Sequence, residues 1–90
     1  MNDPGWRVRL AASARRDIKR LDRPVRERIL TAIEGLQTEP PTGDIKRLTG
    51  HEPPEWRLRV GDRRVRFTRE QDERTIPIQR VLPRGRAYRD

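Results

Sequence analysis

The sequence is poor in the residues that build redox and metal sites, because its 90 residues contain no cysteine and one histidine, His51. The lack of cysteine excludes disulfides and thiol chemistry, and one histidine is too few for a histidine-based metal site. No apolar run approaches the ~20 residues that a membrane-spanning helix needs, and the first residues lack the apolar core of a signal peptide. We therefore expect a soluble, cytoplasmic protein without a metal or a cofactor.

Apolar residues are also scarce, with 31% of the chain hydrophobic against 40% charged. This composition approaches that of disordered chains, but the apolar residues are periodic, which favours a folded protein. Ninety residues suffice for one domain, which we expect to span residues 1–90.

The charge is strongly one-sided. The formal net charge is +8, and all but two of the 22 basic residues, Lys19 and Lys46, are arginines. This balance indicates a nucleic acid or another acidic partner. A genomic preference for arginine on a solvated surface is the alternative interpretation.

Residues 56–67, WRLRVGDRRVRF, are the most informative segment. Apolar and polar residues alternate on both sides of Gly61-Asp62, which predicts a β-hairpin with a two-residue turn. That turn sets the register, in which Arg59 faces Arg64 and Trp56 faces Phe67. Successive side chains of a strand point to opposite faces. One face therefore carries Trp56, Leu58, Val65 and Phe67, and the other carries Arg57, Arg59, Arg64 and Arg66.

We expect the arginine side of the hairpin to be open. Like charges that lie directly opposite each other destabilise a sheet, and a bound polyanion would explain two such pairs. The apolar side is expected to face the helices.

The remaining pattern predicts a strand around Trp6–Leu10 and two short helices, the first capped by Ser13 and the second by Asp22. Residues 38–55 contain repeated proline and glycine and read as a loop. Residues 75–81 read as a last strand, with Pro77 at an edge or a bulge. These elements predict an α+β domain of order β-α-α-β-β-β. Its small four-stranded antiparallel sheet would carry an N-terminal helix hairpin on one face.

Three segments resemble the RelE/ParE superfamily of toxins from bacterial type II toxin–antitoxin systems, with the RelE-like branch favoured. They are SARRDIKRLDRPVRERI, IKRLTGHEPPEWRLRVGDRRVRF and IPIQRVLPRGRAYRD. The most specific motifs are L-x-G followed by W-R-x-R-x-G-x-x-R, and R-x-x-x-Y-R near the C-terminus. The resemblance implies a cognate antitoxin encoded next to the toxin, and operator DNA as a partner only together with that antitoxin.

The resemblance implies ribosome-dependent cleavage of messenger RNA for a RelE-like member. The positions that match the family's catalytic residues are Arg57, Arg59, Arg64, Arg84 and Tyr88. Additional RNA contacts are assigned to Arg66, Arg80, Arg86, Lys46 and Arg47. Arg57 and Arg59 stand where the family commonly has lysines. Because arginine stays protonated, a general-base role at these two positions is in doubt.

The residues fit a metal-independent endoribonuclease in which the 2′-hydroxyl of the RNA attacks the adjacent phosphorus. Fixed positive charge would stabilise the transition state, and Tyr88 would stack on a base or transfer a proton. Three alternatives stay open: the arginines bind only an acidic antitoxin, the chain inhibits DNA gyrase as ParE-like members do, or it is a non-catalytic corepressor. His51 lies in a glycine- and proline-rich loop and is expected to be exposed, with catalysis the less favoured role.

Overall fold

The computed structural model of the protein describes residues 5–85. Within that range the chain forms five strands, two α-helices and one turn of 3₁₀ helix. In chain order these are β1 (Arg7–Leu10), α1 (Ala12–Lys19), α2 (Arg23–Glu34), the 3₁₀ turn (Gly35–Gln37), β2 (Asp44–Leu48), β3 (Glu55–Val60), β4 (Arg63–Phe67) and β5 (Thr75–Pro83).

The strands form a single sheet in the order β1-β5-β4-β3-β2. The pairs β2–β3, β3–β4 and β4–β5 are antiparallel, whereas β1 runs parallel to β5. The α+β class is confirmed, but the four-stranded, wholly antiparallel sheet is wrong. The direction of β1 depends on which strand it joins, and its neighbour, β5, lies more than 60 residues away in the sequence.

The additional strand is β2, which lies inside the segment that the sequence predicts to be a loop. Its five residues, DIKRL, include two apolar side chains, and it forms an edge of the sheet. Ile45 packs against the core opposite Leu58, and Leu48 is buried opposite Glu55. Pairing with β3 therefore makes this segment a strand, and its own composition gives only a weak signal.

The core lies between the helices and the apolar side of the hairpin. It contains Trp6, Ala14, Ile18, Ile29, Ile33, Leu36, Leu58, Val65, Phe67, Ile76, Ile78 and Val81. Trp56 is half-buried and stacks on Phe67, with 6.2 Å between the ring centroids. The apolar face predicted for the hairpin is thus confirmed. Each helix makes its main tertiary contacts with the sheet, α1 with β5 and α2 with β3.

Helix α1 is fastened to β5 by two polar side chains one turn apart. Ser13 does not cap the helix, because α1 begins at Ala12 after Ala11; its hydroxyl donates instead to the carbonyl of Gln79 at 2.9 Å. Asp17 accepts from the backbone N–H of Val81 at 2.8 Å and from the Arg80 guanidinium. Asp22 does occupy the N-cap position of α2, without a side-chain capping bond.

These contacts coincide with an irregularity in β5. Arg66 pairs with Arg80 whereas the next residue, Phe67, pairs with Ile78, so Gln79 is the extra residue of a bulge. Of the two places predicted for Pro77, the edge of the sheet is wrong, because β1 and β4 flank β5; the bulge lies two residues further along, at Gln79. The carbonyl of Pro77 accepts from the N–H of Thr68 at 3.1 Å.

Candidate functional site: the arginine face of the hairpin

The predicted hairpin register is confirmed at all five pairs, from Trp56 with Phe67 to Val60 with Arg63. Arg57, Arg59, Arg64 and Arg66 therefore share the face of the sheet that points away from the helices. This face is not open as expected, because Arg57 and Arg64 are each only 7% exposed. The strands on both sides of the hairpin extend the face into two rows of side chains.

The first row runs across four strands and consists of cations. Lys46 of β2, Arg57 of β3, Arg66 of β4 and Arg80 of β5 are successive partners in the register. Three of these cations are held by carboxylates from three different elements. Asp44 contacts Arg57, Glu55 contacts Arg66 and Asp17 contacts Arg80. The protein's own carboxylates therefore offset the repulsion between Arg57 and Arg66, one of the two like-charged pairs that the sequence attributes to a bound polyanion.

Arg57 is held at two points by one residue of β2. Its Nη1 donates to the backbone carbonyl of Asp44 at 2.8 Å and to Oδ1 of the same residue at 3.0 Å. The hydrogen bond from Arg57, with the positive charges of Arg57, Arg59 and Arg64, lowers the pKa of Asp44. Asp44 therefore stays ionised at neutral pH.

Arg66 belongs to a chain of polar contacts that ends at the histidine. Its Nη2 lies 2.7 Å from Glu55 Oε1, and Glu55 Oε2 lies 2.9 Å from Nδ1 of His51. The His51 side chain is 32% exposed, so the structure places it against the hairpin and not free in solvent as expected. Arg47, Leu48 and His51 line an open depression of about 620 Å³ beside this chain.

The second row contains Arg59 and Arg64. Asp44 lies opposite Arg59 in the register, and Arg59 lies opposite Arg64. Among residues 5–85 neither arginine forms an ion pair. Arg59 is exposed, whereas the Arg64 side chain folds back so that Nη1 donates to the carbonyls of Gly61 and Arg63, at 3.1 Å each.

Arg84 joins this second row through the backbone. Its N–H donates to the carbonyl of Asp62 in the hairpin turn at 2.7 Å, and the residue itself is exposed. The end of β5 thus brings Arg84 to the same end of the sheet as Arg59 and Arg64. Tyr88 and Arg86 lie outside the described residues.

The secondary RNA-contact residues are divided between surfaces. Lys46 lies on the arginine face beside Arg57. Arg47 alternates to the helix side of β2, because it pairs with Trp56. Arg80 is turned towards α1, where Nε and Nη2 donate to the two carboxylate oxygens of Asp17 at 2.8 and 3.2 Å.

Sequence reasoning missed the carboxylates that organise this face. Asp44 and Glu55 lie inside or at the end of the segment that reads as a loop, so neither was assigned to the sheet. The alternation in DIKRL was the available signal, since it places Asp44 and Lys46 on one side. In the described part of the chain, no group of three or more His, Asp or Glu side chains is placed to hold a metal ion.

The chain matches known proteins in both sequence and fold. The sequence model described as "ParE toxin of type II toxin-antitoxin system, parDE" matches residues 8–88. No curated protein matches the chain. None of the helices between residues 5 and 85 is long and apolar enough to cross a membrane.

Three solved structures of similar fold are toxin–antitoxin complexes. The archaeal RelE-RelB complex from Pyrococcus horikoshii is 27% identical, with a TM-score of 0.78 over 91% of this chain and 98% of the other. The RelBE2 complex from Mycobacterium tuberculosis is 25% identical, with a TM-score of 0.74 over 89% of this chain and 99% of the other. The RelB-RelE complex from Methanococcus jannaschii is 30% identical, with a TM-score of 0.68 over 82% of this chain and 87% of the other. The chain therefore belongs to the RelE/ParE superfamily of toxins of type II toxin–antitoxin systems, and resembles its RelE-like branch in structure.

Proposed function

We propose that this toxin is an endoribonuclease that cleaves messenger RNA on the ribosome, in the cytoplasm, and that a cognate antitoxin neutralises it. The observation that carries this proposal is the second row of the arginine face. Arg59, Arg64 and Arg84 converge at one end of the sheet, and among residues 5–85 none of them is ion-paired. Such a cluster suits a phosphodiester, whose oxygens accept charge-assisted hydrogen bonds from guanidinium groups.

The reaction that these residues support needs no covalent bond to the protein. The 2′-oxygen of one nucleotide forms a bond to the adjacent phosphorus as its proton leaves. The bond from phosphorus to the 5′-oxygen of the next nucleotide breaks, and that oxygen takes up a proton. The products are a 2′,3′-cyclic phosphate and a 5′-hydroxyl end.

The arginines contribute fixed positive charge to this step. Arg59 and Arg64 bind the non-bridging oxygens, on which negative charge increases in the transition state, and Arg84 adds a third cation from the end of β5. Because the Arg64 side chain is already held on the carbonyls of Gly61 and Arg63, little reorganisation of that arginine is needed as the charge develops. Arg57 lies one row away, where it is buried and bonded to Asp44.

The arginines do not act as a general base, since they stay protonated at any physiological pH. Much of the barrier to such a reaction is removed when the attacking and leaving oxygens are held in line. We infer that the ribosome supplies this alignment to the messenger RNA. Tyr88 remains a candidate for base stacking or proton transfer.

Inhibition of DNA gyrase is the second candidate function. It is favoured by the match to the ParE family model over residues 8–88. The carboxylates on Arg57, Arg66 and Arg80 favour it too, since they leave fewer arginines for RNA than the sequence suggests. In either case we propose that the antitoxin complex, and not the toxin alone, binds operator DNA.

The experiment compares messenger RNA ends in cells that express the wild type, Arg59→Ala or Arg16→Ala. Arg59 is exposed, and among residues 5–85 its side chain forms no hydrogen bond or ion pair; Arg16 is an exposed arginine of α1, outside the two rows. New 5′ ends within translated codons, lost in Arg59→Ala and kept in Arg16→Ala, support the RNase. Growth arrest with intact messenger RNA and DNA damage would replace it with the gyrase function.

A further inference from the structure

The three carboxylates of the first row differ in how firmly the fold holds them. The side chain of Asp17 is 10% exposed and that of Glu55 is 19% exposed, whereas that of Asp44 is 57% exposed. Asp17 also accepts from the backbone N–H of Val81, and Glu55 is also bonded to His51. Asp44 is thus the carboxylate that leaves its arginine most easily.

The arginine that Asp44 contacts is otherwise held in place. One of its hydrogen bonds, at 2.8 Å, goes to the backbone carbonyl of Asp44, and does not depend on the carboxylate. The residue is only 7% exposed, so its side chain has little freedom to turn away. If the Asp44 carboxylate rotated into solvent, Arg57 would present its charge at nearly the same position.

The position of Arg57 matches the spacing of a chain of anions. Arg57 and Arg59 are two residues apart on β3, and point to the same face. At the rise of a strand, this separates the two rows by ~7 Å. A single-stranded nucleic acid whose phosphate lies on Arg59 and Arg64 would bring its next phosphate towards Arg57, where the Asp44 carboxylate now lies.

We propose that Arg57 is a latent phosphate site and that the Asp44 carboxylate is its resident anion, displaced when a phosphodiester chain binds. This inference rests on the proposed binding of RNA to the arginine face, and goes beyond it by naming the residue that limits the affinity. Asp44 acts as a competitor of the substrate. Its removal therefore strengthens binding of a polyanion, although it costs the protein an ion pair.

The test measures binding of the full-length toxin to a fluorescent 2′-O-methyl oligoribonucleotide, which lacks the attacking hydroxyl and stays intact. Asp44→Asn keeps the backbone carbonyl and the size of the side chain but removes its charge. We expect its affinity to rise about 5-fold, the upper range for one exposed ion pair. The slope of log affinity against log salt should steepen by about 0.7, as for one further phosphate contact of a single strand.

Glu70→Gln is the matched control. It removes the same charge from another carboxylate that pairs with an arginine, Arg9 of the edge strand β1, at the opposite edge of the sheet from β2. Net charge alone would strengthen binding equally in both variants, and that result would overturn the proposal. So would unchanged or weaker binding by Asp44→Asn, which is the result expected if Asp44 only orients Arg57.

A second variant makes the assignment to Arg57 specific. In an Arg57→Gln background the gain in affinity from Asp44→Asn should be clearly smaller, because the competition for that guanidinium is gone and only the charge interaction of Asp44 with Arg59 and Arg64 remains. If Arg57→Gln does not fold, the comparison with Glu70→Gln decides. The probe cannot be cleaved, so the binding test does not depend on RNase activity. If Asp44→Asn binds the probe more tightly while messenger RNA stays intact in cells that express the toxin, the RNase function is refuted and the latent site stands. Failure of all variants to bind at low salt would overturn the latent site.

Discussion

Asp17 and Arg80 are 63 residues apart in the sequence and are joined by two hydrogen bonds, of 2.8 and 3.2 Å. The same carboxylate accepts from the N–H of Val81, so one side chain of α1 holds both the backbone and a side chain of β5 next to its bulge. This contact fixes the helix to the sheet at the strand that leads to Arg84.

We predict that Asp17→Asn lowers the free energy of unfolding by about 2 kcal/mol, since a hydrogen bond to a charged group contributes roughly 1.5–3 kcal/mol. Asp22→Asn is the control, because Asp22 is exposed and makes no capping bond through its side chain. Its effect should stay within about 0.5 kcal/mol. Urea denaturation measures both, and equal effects would show that the contact to Arg80 adds nothing.

The stability of the protein should depend on pH through the same residue. Burial alone would raise the pKa of Asp17, but the hydrogen bonds from Arg80 and Val81 outweigh it and the pKa is lowered. The stabilisation is therefore complete above the pKa of an unfolded aspartate, about 3.9, and is lost as the pH falls through the lower pKa of the folded state. Denaturation curves between pH 6 and pH 2 should show a steeper loss for the wild type than for Asp17→Asn.

The change from leucine to alanine should destabilise the protein far more at Leu58 than at Leu30. Leu58 is 1% exposed beneath the helices, whereas Leu30 is 39% exposed on α2. Leu58→Ala should cost about 2–5 kcal/mol, because it leaves a cavity. Leu30→Ala should cost less than about 1 kcal/mol. Thermal unfolding checks both values, and a large effect at Leu30 alone would contradict this placement of the core.

Alanine substitutions at Gly43 and Gly50 distinguish the cost of backbone strain from the cost of a steric clash. Both have positive φ, of 120° and 76°. A Cβ at Gly43 would lie 2.6 Å from Cδ1 of the buried Leu58, whereas nothing lies within 4 Å of one at Gly50. Gly50→Ala should cost about 1–2 kcal/mol from strain alone, and Gly43→Ala should cost clearly more. Equal losses of unfolding free energy in the two variants would argue against the close approach of Gly43 to Leu58.

The two arginines of the second row should differ in what they do for the fold. Arg64→Ala removes a buried side chain that donates to the carbonyls of Gly61 and Arg63, and should lower stability by about 1–3 kcal/mol. Arg59→Ala should change it by less than about 0.5 kcal/mol, because Arg59 is exposed. Unfolding of both variants in guanidinium chloride measures these two changes in stability. A loss of activity in Arg64→Ala could therefore come from a less stable fold, so its stability is measured as well. Arg59→Ala does not have this ambiguity.

The sequence by itself determined the hairpin. Strict alternation on both sides of a two-residue turn leaves one register, so the pairing of Arg59 with Arg64 and the buried Leu58, Val65 and Phe67 followed from local order. The apolar stripes of the two helices were equally local, and the composition indicated an anionic partner. The superfamily membership followed from motifs within these segments.

The tertiary structure decided the neighbours of each element. The edge strand β2, the parallel pairing of β1 with β5 and the bulge at Gln79 all depend on partners distant in sequence. The same is true of the charges. Four arginines on one face predicted an open surface for a polyanion, but α1, β2 and β3 bring carboxylates to three of the cations in one row. A charge pattern fixes which face a side chain shares, whereas its free charge depends on the acidic groups that folding brings within a few ångströms.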